Sequence, residues 1–214
     1  MREAGLEKRL RDLRIFRIFE GTNEILRLFI ALSGLQFAGT NLRQMVKNVT
    51  KNPLAHPDLI VKEGKKRTLR ILGVNSSGSE LETLVHSDLK SSARKIGKAM
   101  DGFGVGAEGL LRKYGKNVID EQFRLKRIAD SLIDLYTSAC VLSRATKALE
   151  EDSPTAAHQT MMTRLWCDGA YLRIMDNLAA LEGKAAETNF ATMTEISGNV
   201  VAAGGVVQSH PLGV

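Results

Sequence analysis

The chain has 214 residues, 43% hydrophobic and 5% aromatic, with 30 Lys and Arg against 24 Asp and Glu for a net charge of +6. Such a length and apolar content suit one large or two small domains with a real core, and exclude a disordered chain. Only two cysteines occur, Cys140 and Cys167, which excludes a disulfide scaffold and a four-cysteine zinc site and makes a reducing compartment the expectation.

Met1 opens onto Arg2, Glu3, Glu7 and Lys8, without the apolar h-region of a secretory leader. A first helical piece is expected over 1–33. Within it Leu13-Arg14-Ile15-Phe16-Arg17-Ile18-Phe19 is an apolar stretch studded with arginines, and it ends at Glu20-Gly21-Thr22-Asn23-Glu24. Thr22 or Asn23 can cap a new helix over 25–32, and Gly21 lets the backbone turn or admits a ligand. Glu20 then sits between two helices beside Ile18 and Phe19. A carboxylate in apolar surroundings has a raised pKa, which suits a general base near neutral pH. From spacing alone the blander reading, a surface glutamate at a helix junction, is favoured.

The whole charge excess falls between Leu35 and Gly73, where Arg43, Lys47, Lys51, Lys62, Lys65, Lys66, Arg67 and Arg70 face only Asp58 and Glu63. Leu35, Ala38, Leu42, Met45 and Val49 repeat at 3-4-3-4 spacing, so one helical face is expected to be apolar with Arg43 and Lys47 beside it. After a proline turn, Val61, Thr68, Leu69 and Leu72 form a weaker stripe. The pattern reads as an interfacial segment for an anionic membrane, or else as a solvated linker. Nucleic acid is disfavoured because no aromatic residue interrupts the charges between Gln44 and Gly73. The segment with its following linker is taken as 34–82.

After the polar break Asn75-Ser76-Ser77-Gly78-Ser79, a helical bundle is expected over 83–214. Its helices are predicted at 88–114, ended by Gly115, at 117–150, at 155–182 with Ser153 as N-cap and Gly183 as C-cap, and at 185–203. Leu125, Ile128, Leu132, Leu135, Ala139 and Leu142 mark the apolar face of the second. Gly104-Val105-Gly106-Ala107-Glu108-Gly109 has the letters of a dinucleotide fingerprint, but the preceding residues read as helix, not strand, so the run is taken as glycine-rich helix. Trp166, Cys167 and Cys140 are read as core, Cys140 as an inert buried thiol. His56, His86, His158 and His210 lack an i,i+3 or i,i+4 partner, so no metal site is expected. The longest unbroken apolar or glycine run, 200–207, is far below the ~20 residues that span a bilayer, and no alternating strand pattern occurs. The expected fold class is all-α.

The stretch Leu13-Arg14-Ile15-Phe16-Arg17-Ile18-Phe19-Glu20-Gly21-Thr22-Asn23-Glu24-Ile25-Leu26-Arg27 resembles the catalytic-glutamate segment of acyl-CoA dehydrogenases. Glu3, Lys8 and Asp12 match the second half of a family signature whose glycine-rich first half would lie before Met1. Asn117-Val118-Ile119-Asp120-Glu121-Gln122-Phe123, Ala129-Asp130, Ile133-Asp134-Leu135-Tyr136, Val141-Leu142-Ser143-Arg144-Ala145 and the tail 204–213 are similar to the extra C-terminal domain of the very-long-chain subfamily.

The resemblance implies that Glu20 removes the α-proton of a long-chain acyl-CoA while a hydride leaves for the N5 of FAD. It implies that Phe19 and Gly21 line the substrate and that Thr22, Asn23 and Glu24 lie against FAD. It further implies a homodimer, electron-transfer flavoprotein as electron acceptor, and peripheral association of the basic segment (Arg43, Lys47, Lys62, Lys65, Lys66, Arg67, Arg70) with the anionic inner mitochondrial membrane. On that resemblance the chain is expected to be a C-terminal portion of the enzyme or a product beginning at an internal methionine, inactive alone. The alternative is a non-catalytic helical interaction or membrane-docking module.

Overall fold

The computed structural model describes residues 3, 5–51 and 76–209, with the backbone alone over 41–51 and at Ser76. Every regular element among the described residues is helical. They are α1 (Leu6–Arg14), α2 (Asn23–Lys51), α3 (Ser76–Glu82), α4 (Lys90–Tyr114), α5 (Gln122–Glu150), α6 (Ala156–Ala179) and α7 (Lys184–Ala203), with short 3-10 turns at Ile15–Arg17, Ser87–Leu89 and Gly115–Asp120. The all-α expectation holds, and the glycine-rich run at 104–109 lies inside α4. The helix expected over 25–32 does not stop there: α2 continues without a break to Lys51.

The helix ends follow local chemistry. His86 Nδ1 accepts the Asp88 N–H at 3.4 Å and opens the turn that leads into α4. Gly115, at φ 55°, closes α4 in a conformation that side chains disfavour. Ser153 Oγ accepts the Thr155 N–H at 3.4 Å, as an N-cap should, and the regular ladder of α6 begins at Ala156. At its other end α6 stops at Ala179, short of the expected 182, and gives way to a turn in which Leu181 is buried. Gly183, at φ 113°, therefore opens α7 instead of capping α6.

Two compact units result, Met1–Leu178 and Ala179–Val214. The core of the first gathers Leu89, Ile96 and Ala99 from α4 and its leading turn, Leu135, Leu142 and Ala145 from α5, and Cys167, Ala170 and Ile174 from α6. Each fully buried Leu or Ile there contributes about 1.5–3 kcal/mol. In the second unit α7 buries Phe190, leaves Met193, Ile196, Val200 and Val201 exposed, and ends at Gly204 in the left-handed conformation.

On α5 the buried stripe runs Leu125, Ile128, Ser131, Leu135, Ser138, Leu142, Ala145. Two serines thus take core positions that the apolar pattern assigned to Leu132 and Ala139; Leu132 is half-buried and Ala139 exposed. Cys140 lies two residues from both Ser138 and Leu142, hence off this face, and is exposed, contrary to the buried reading. Trp166 likewise is 39% exposed beside the buried Cys167, its ring 5.3 Å from the Arg173 guanidinium. Where α4 hands over to α5, the buried Arg124 guanidinium pairs with Glu121 and lies over the Tyr114 ring at 5.2 Å.

Helix α3 is strapped onto α4 by glycine against glycine. A Cβ on Gly97 would stand 2.5 Å from Gly78 N, closer than real contacts come. Asp101 takes the Ser77 hydroxyl at 2.6 Å, and Arg94 forks onto Glu82 at 2.5 and 2.9 Å. On an unobstructed helix Gly→Ala stabilises by about 1 kcal/mol. Gly97→Ala is expected to have the opposite sign here, lowering the melting temperature and speeding amide exchange over Ser76–Glu82; a raised melting temperature would show that the two backbones do not meet.

Candidate functional site

The chain reverses between α1 and α2 over a few residues. Ile18 N–H donates to Ile15 O at 2.9 Å, closing the 3-10 turn, Phe19 N–H donates to the same carbonyl at 3.1 Å, and Glu20 then takes the left-handed conformation at φ 56°. A non-glycine residue there costs of order 1 kcal/mol and is characteristic of functional turns. Gly21 follows at φ 118°, which only glycine adopts readily. Thr22 is the cap: its carbonyl accepts the Leu26 N–H at 2.9 Å and its hydroxyl faces the Ile25 N–H at 3.5 Å. Asn23 and Glu24 form the first turn of α2, whose free N–H groups give this end a partial positive charge.

The six residues expected at the site therefore form one continuous turn. The apolar enclosure expected around Glu20 is missing in this chain. Glu20 is exposed, Ile18 and Phe19 are 68% and 40% exposed, and the tilted Phe16 and Phe19 rings touch each other at 5.2 Å. An open hollow of about 450 Å³ is lined by Leu10, Leu13, Arg14 and Arg17. The seven basic residues expected to dock on a membrane are not part of this geometry. Arg43 and Lys47 lie where only the backbone of α2 is described, and Lys62, Lys65, Lys66, Arg67 and Arg70 lie outside the described residues. Of the apolar stripe beside them, Leu35 is buried in the protein and Ala38 is exposed, so Leu35 is not available to a membrane. No helix among the described residues is long and apolar enough to cross a bilayer.

What the residue pattern did not reveal is a charged cleft of about 460 Å³, lined by Arg27, Asp130, Ile133, Asp134, Arg173, Asp176 and Asn177. Arg27 Nε donates to Asp130 Oδ1 at 2.6 Å, joining α2 to α5. One turn on, Asp134 receives Arg173 of α6 bidentately at 2.7 and 2.9 Å, which raises the guanidinium pKa further above its ordinary value. Arg27 and Asp130 each stood in a run quoted above, but 103 residues separate them, and nothing local announces the pairing.

The structure aligns with known proteins over both regions. Residues 87–206 match the model of the ACAD9/ACADV C-terminal domain. The chain belongs to this family. Over its full length it is 44% identical to the very long-chain specific acyl-CoA dehydrogenase, mitochondrial, of Bos taurus, and 43% identical to that of Homo sapiens. A probable acyl-CoA dehydrogenase of Bacillus subtilis is 30% identical over 85% of the chain. The chain spans only about a third of these relatives, 32% of the bovine and human proteins and 28% of the Bacillus protein. In fold it is similar to the crystal structure of an acyl-CoA dehydrogenase complexed with FAD from Bacillus anthracis, with a TM-score of 0.54 and 24% identity over 99% of this chain and 31% of that one. The Glu20 turn precedes the segment matched by the ACAD9/ACADV model but lies inside the alignment with the long relatives.

The thiols of this ACAD9/ACADV-type domain differ sharply. Burial, with a smaller contribution from Asp168, pushes Cys167 up from its usual 9.0 to about 11. The folded thiol thus titrates above the unfolded one, so its contribution to stability is complete below pH 9 and is lost as pH rises toward 11. Iodoacetamide at pH 8 is expected to label the exposed Cys140 and spare Cys167 until the chain is unfolded; rapid double labelling of the native chain would contradict this burial.

Proposed function

We propose that this chain supplies the catalytic glutamate and the extra helical domain of an FAD-dependent very-long-chain acyl-CoA dehydrogenase, with Glu20 as the base that removes the substrate α-proton. One observation carries the reading: Glu20 stands in a left-handed turn, followed by a glycine at φ 118° and the start of a 29-residue helix. This turn lies within a span 44% identical to the bovine enzyme. The Glu20 side chain is exposed between the two helices, and Gly21 would give the backbone the turn that a bound thioester needs.

The N-terminus of α2 suits the phosphates of a flavin cofactor in charge. Its unpaired N–H groups and the Thr22 hydroxyl suit phosphate or ring oxygens. Thr22 and Asn23 would hold FAD, while the exposed Glu24 carboxylate suits hydroxyl groups better than phosphates. Bound FAD would supply the hydride acceptor. Phe19 would flank the acyl chain, and Glu20 would take the α-proton on a carboxylate oxygen. Such a base works best when shielded from water, because an α-proton beside a thioester is weakly acidic. The exposure of Ile18, Phe19 and Glu20 supports the further proposal that this chain alone turns over no substrate.

Electron-transfer flavoprotein as acceptor, a homodimeric assembly, and a mitochondrial setting with the basic segment at an anionic membrane are proposed on the same likeness to the mammalian enzymes. In the complete flavoprotein, Glu20→Gln is expected to keep bound FAD and acyl-CoA binding but lose turnover by several orders of magnitude, since an amide cannot accept the proton. Flavin bleaching by a long-chain acyl-CoA at the parent rate would refute the assignment.

A further inference from the structure

We infer that Arg27 is a positioning residue for Glu20, and that Asp130 is the point through which the C-terminal helical domain holds the glutamate turn in place. The inference rests on the reading of Glu20 as the base. Arg27 lies seven residues beyond Glu20, on the second turn of α2. Its guanidinium reaches in two directions: Nε donates to Asp130 Oδ1 at 2.6 Å, and Nη1 donates to the Asn23 carbonyl at 3.3 Å. Asn23 is the first residue of the helix and only three beyond Glu20. One planar fork thus ties the opening turn of α2 to α5, inside the segment that matches the ACAD9/ACADV model.

Before Ala31, the apolar residues Leu26, Leu28 and Ile30 of α2 are only half-buried, and Arg27 supplies the hydrogen bonds that join this end to α5. From Leu10 to Glu20 every side chain is exposed, and the fully buried residues of α2, Ala31 and Leu35, lie one and two turns beyond Arg27. The charges facing Asp130 leave Arg27 as its partner: Arg173 is committed to Asp134 by two hydrogen bonds, and Asp176 adds only negative charge. The pair is about 30% exposed on either side, so water competes with it without dissolving it. A misplacement of a reacting group by about 1 Å costs on the order of 10²-fold in rate. The tether's value lies in direction, since the turn it steadies is the one that aims the carboxylate.

The test compares Asp130→Asn, Arg27→Lys and the charge swap Arg27→Asp with Asp130→Arg in the complete flavoprotein. Asp130→Asn is expected to lower kcat by roughly 10- to 100-fold with KM changed less than about two-fold and FAD content unchanged. Arg27→Lys keeps the charge but cannot span both acceptors, so it is expected to show a smaller loss of the same kind, and the swap is expected to recover part of the loss seen with Asp130→Asn. In the 214-residue chain, Asp130→Asn is expected to speed amide exchange at Leu26, Arg27 and Leu28 while α5 stays protected. Unchanged kcat and unchanged exchange, or an equal loss of protection across α5, would overturn the inference. Turnover abolished by Glu20→Gln but untouched by Asp130→Asn would overturn it alone and leave the base in place. Faster exchange with Glu20→Gln silent would overturn the base, and with it the catalytic role of the tether.

Discussion

The contact between α2 and α5 governs where the glutamate turn can be. Helix α2 meets the bundle along a seam of small and buried residues: Ala31 and Leu35 are covered, and a Cβ on Gly34 would lie 3.8 Å from Leu132. Further along, a Cβ on Gly39 would lie 4.0 Å from Leu111 of α4. Both distances are ordinary van der Waals contacts, so what holds the helices together is the burial of residues such as Leu35 and not a close approach at the glycines. At the front of this seam sits the Arg27–Asp130 pair, beyond which the chain is solvent-exposed. A partly buried, charge-assisted contact of this kind contributes about 1 kcal/mol once its exposure is discounted, less than a single covered leucine. The apolar seam supplies the adhesion and the ion pair the orientation.

The glutamate turn has the backbone of a working site without its enclosure. The left-handed Glu20, the glycine after it and the capped start of α2 are features that local sequence can hold by itself. Enclosure depends on other surfaces. Leu13, Phe16, Ile18 and Phe19 are all exposed, so among the described residues no apolar enclosure surrounds Glu20. That contrast supports the proposal that catalysis belongs to the larger protein, while this portion supplies the base and its aim.

Much of the fold could be read from periodicity. The apolar pattern located α5, and the cap and glycine signals around the other long helices located α4, α6 and α7; Gly115 marked a real end because its backbone angle leaves few alternatives. The errors arose where side-chain class and position on the helix part company. Ser131 and Ser138 are polar letters in buried places, so the apolar stripe was drawn one residue off, through Leu132 and Ala139. Cys140 and Trp166 are apolar letters on solvent faces. In the site, the turn and its cap were legible because Thr22, Gly21 and Glu20 are neighbours in the chain. The exposure of Glu20 and the Arg27–Asp130 pair were not, because both depend on surfaces remote in sequence. The end of α2 differs too: Gly34 follows Ser33, where a glycine can close a helix, yet the helical backbone runs through it to Lys51.

The central claim is that α2 and α5 open and close together as one unit, so that the glutamate turn rides on the C-terminal helical domain. Native-state hydrogen exchange of the 214-residue chain under increasing denaturant measures this directly. The account predicts that amides of Phe29, Ala31 and Leu35 on α2 merge into the same opening free energy as those of Leu125, Ile128 and Leu142 on α5. If the α2 amides exchanged through a separate opening of much lower free energy while α5 remained closed, the seam would not hold the turn and the account would be wrong.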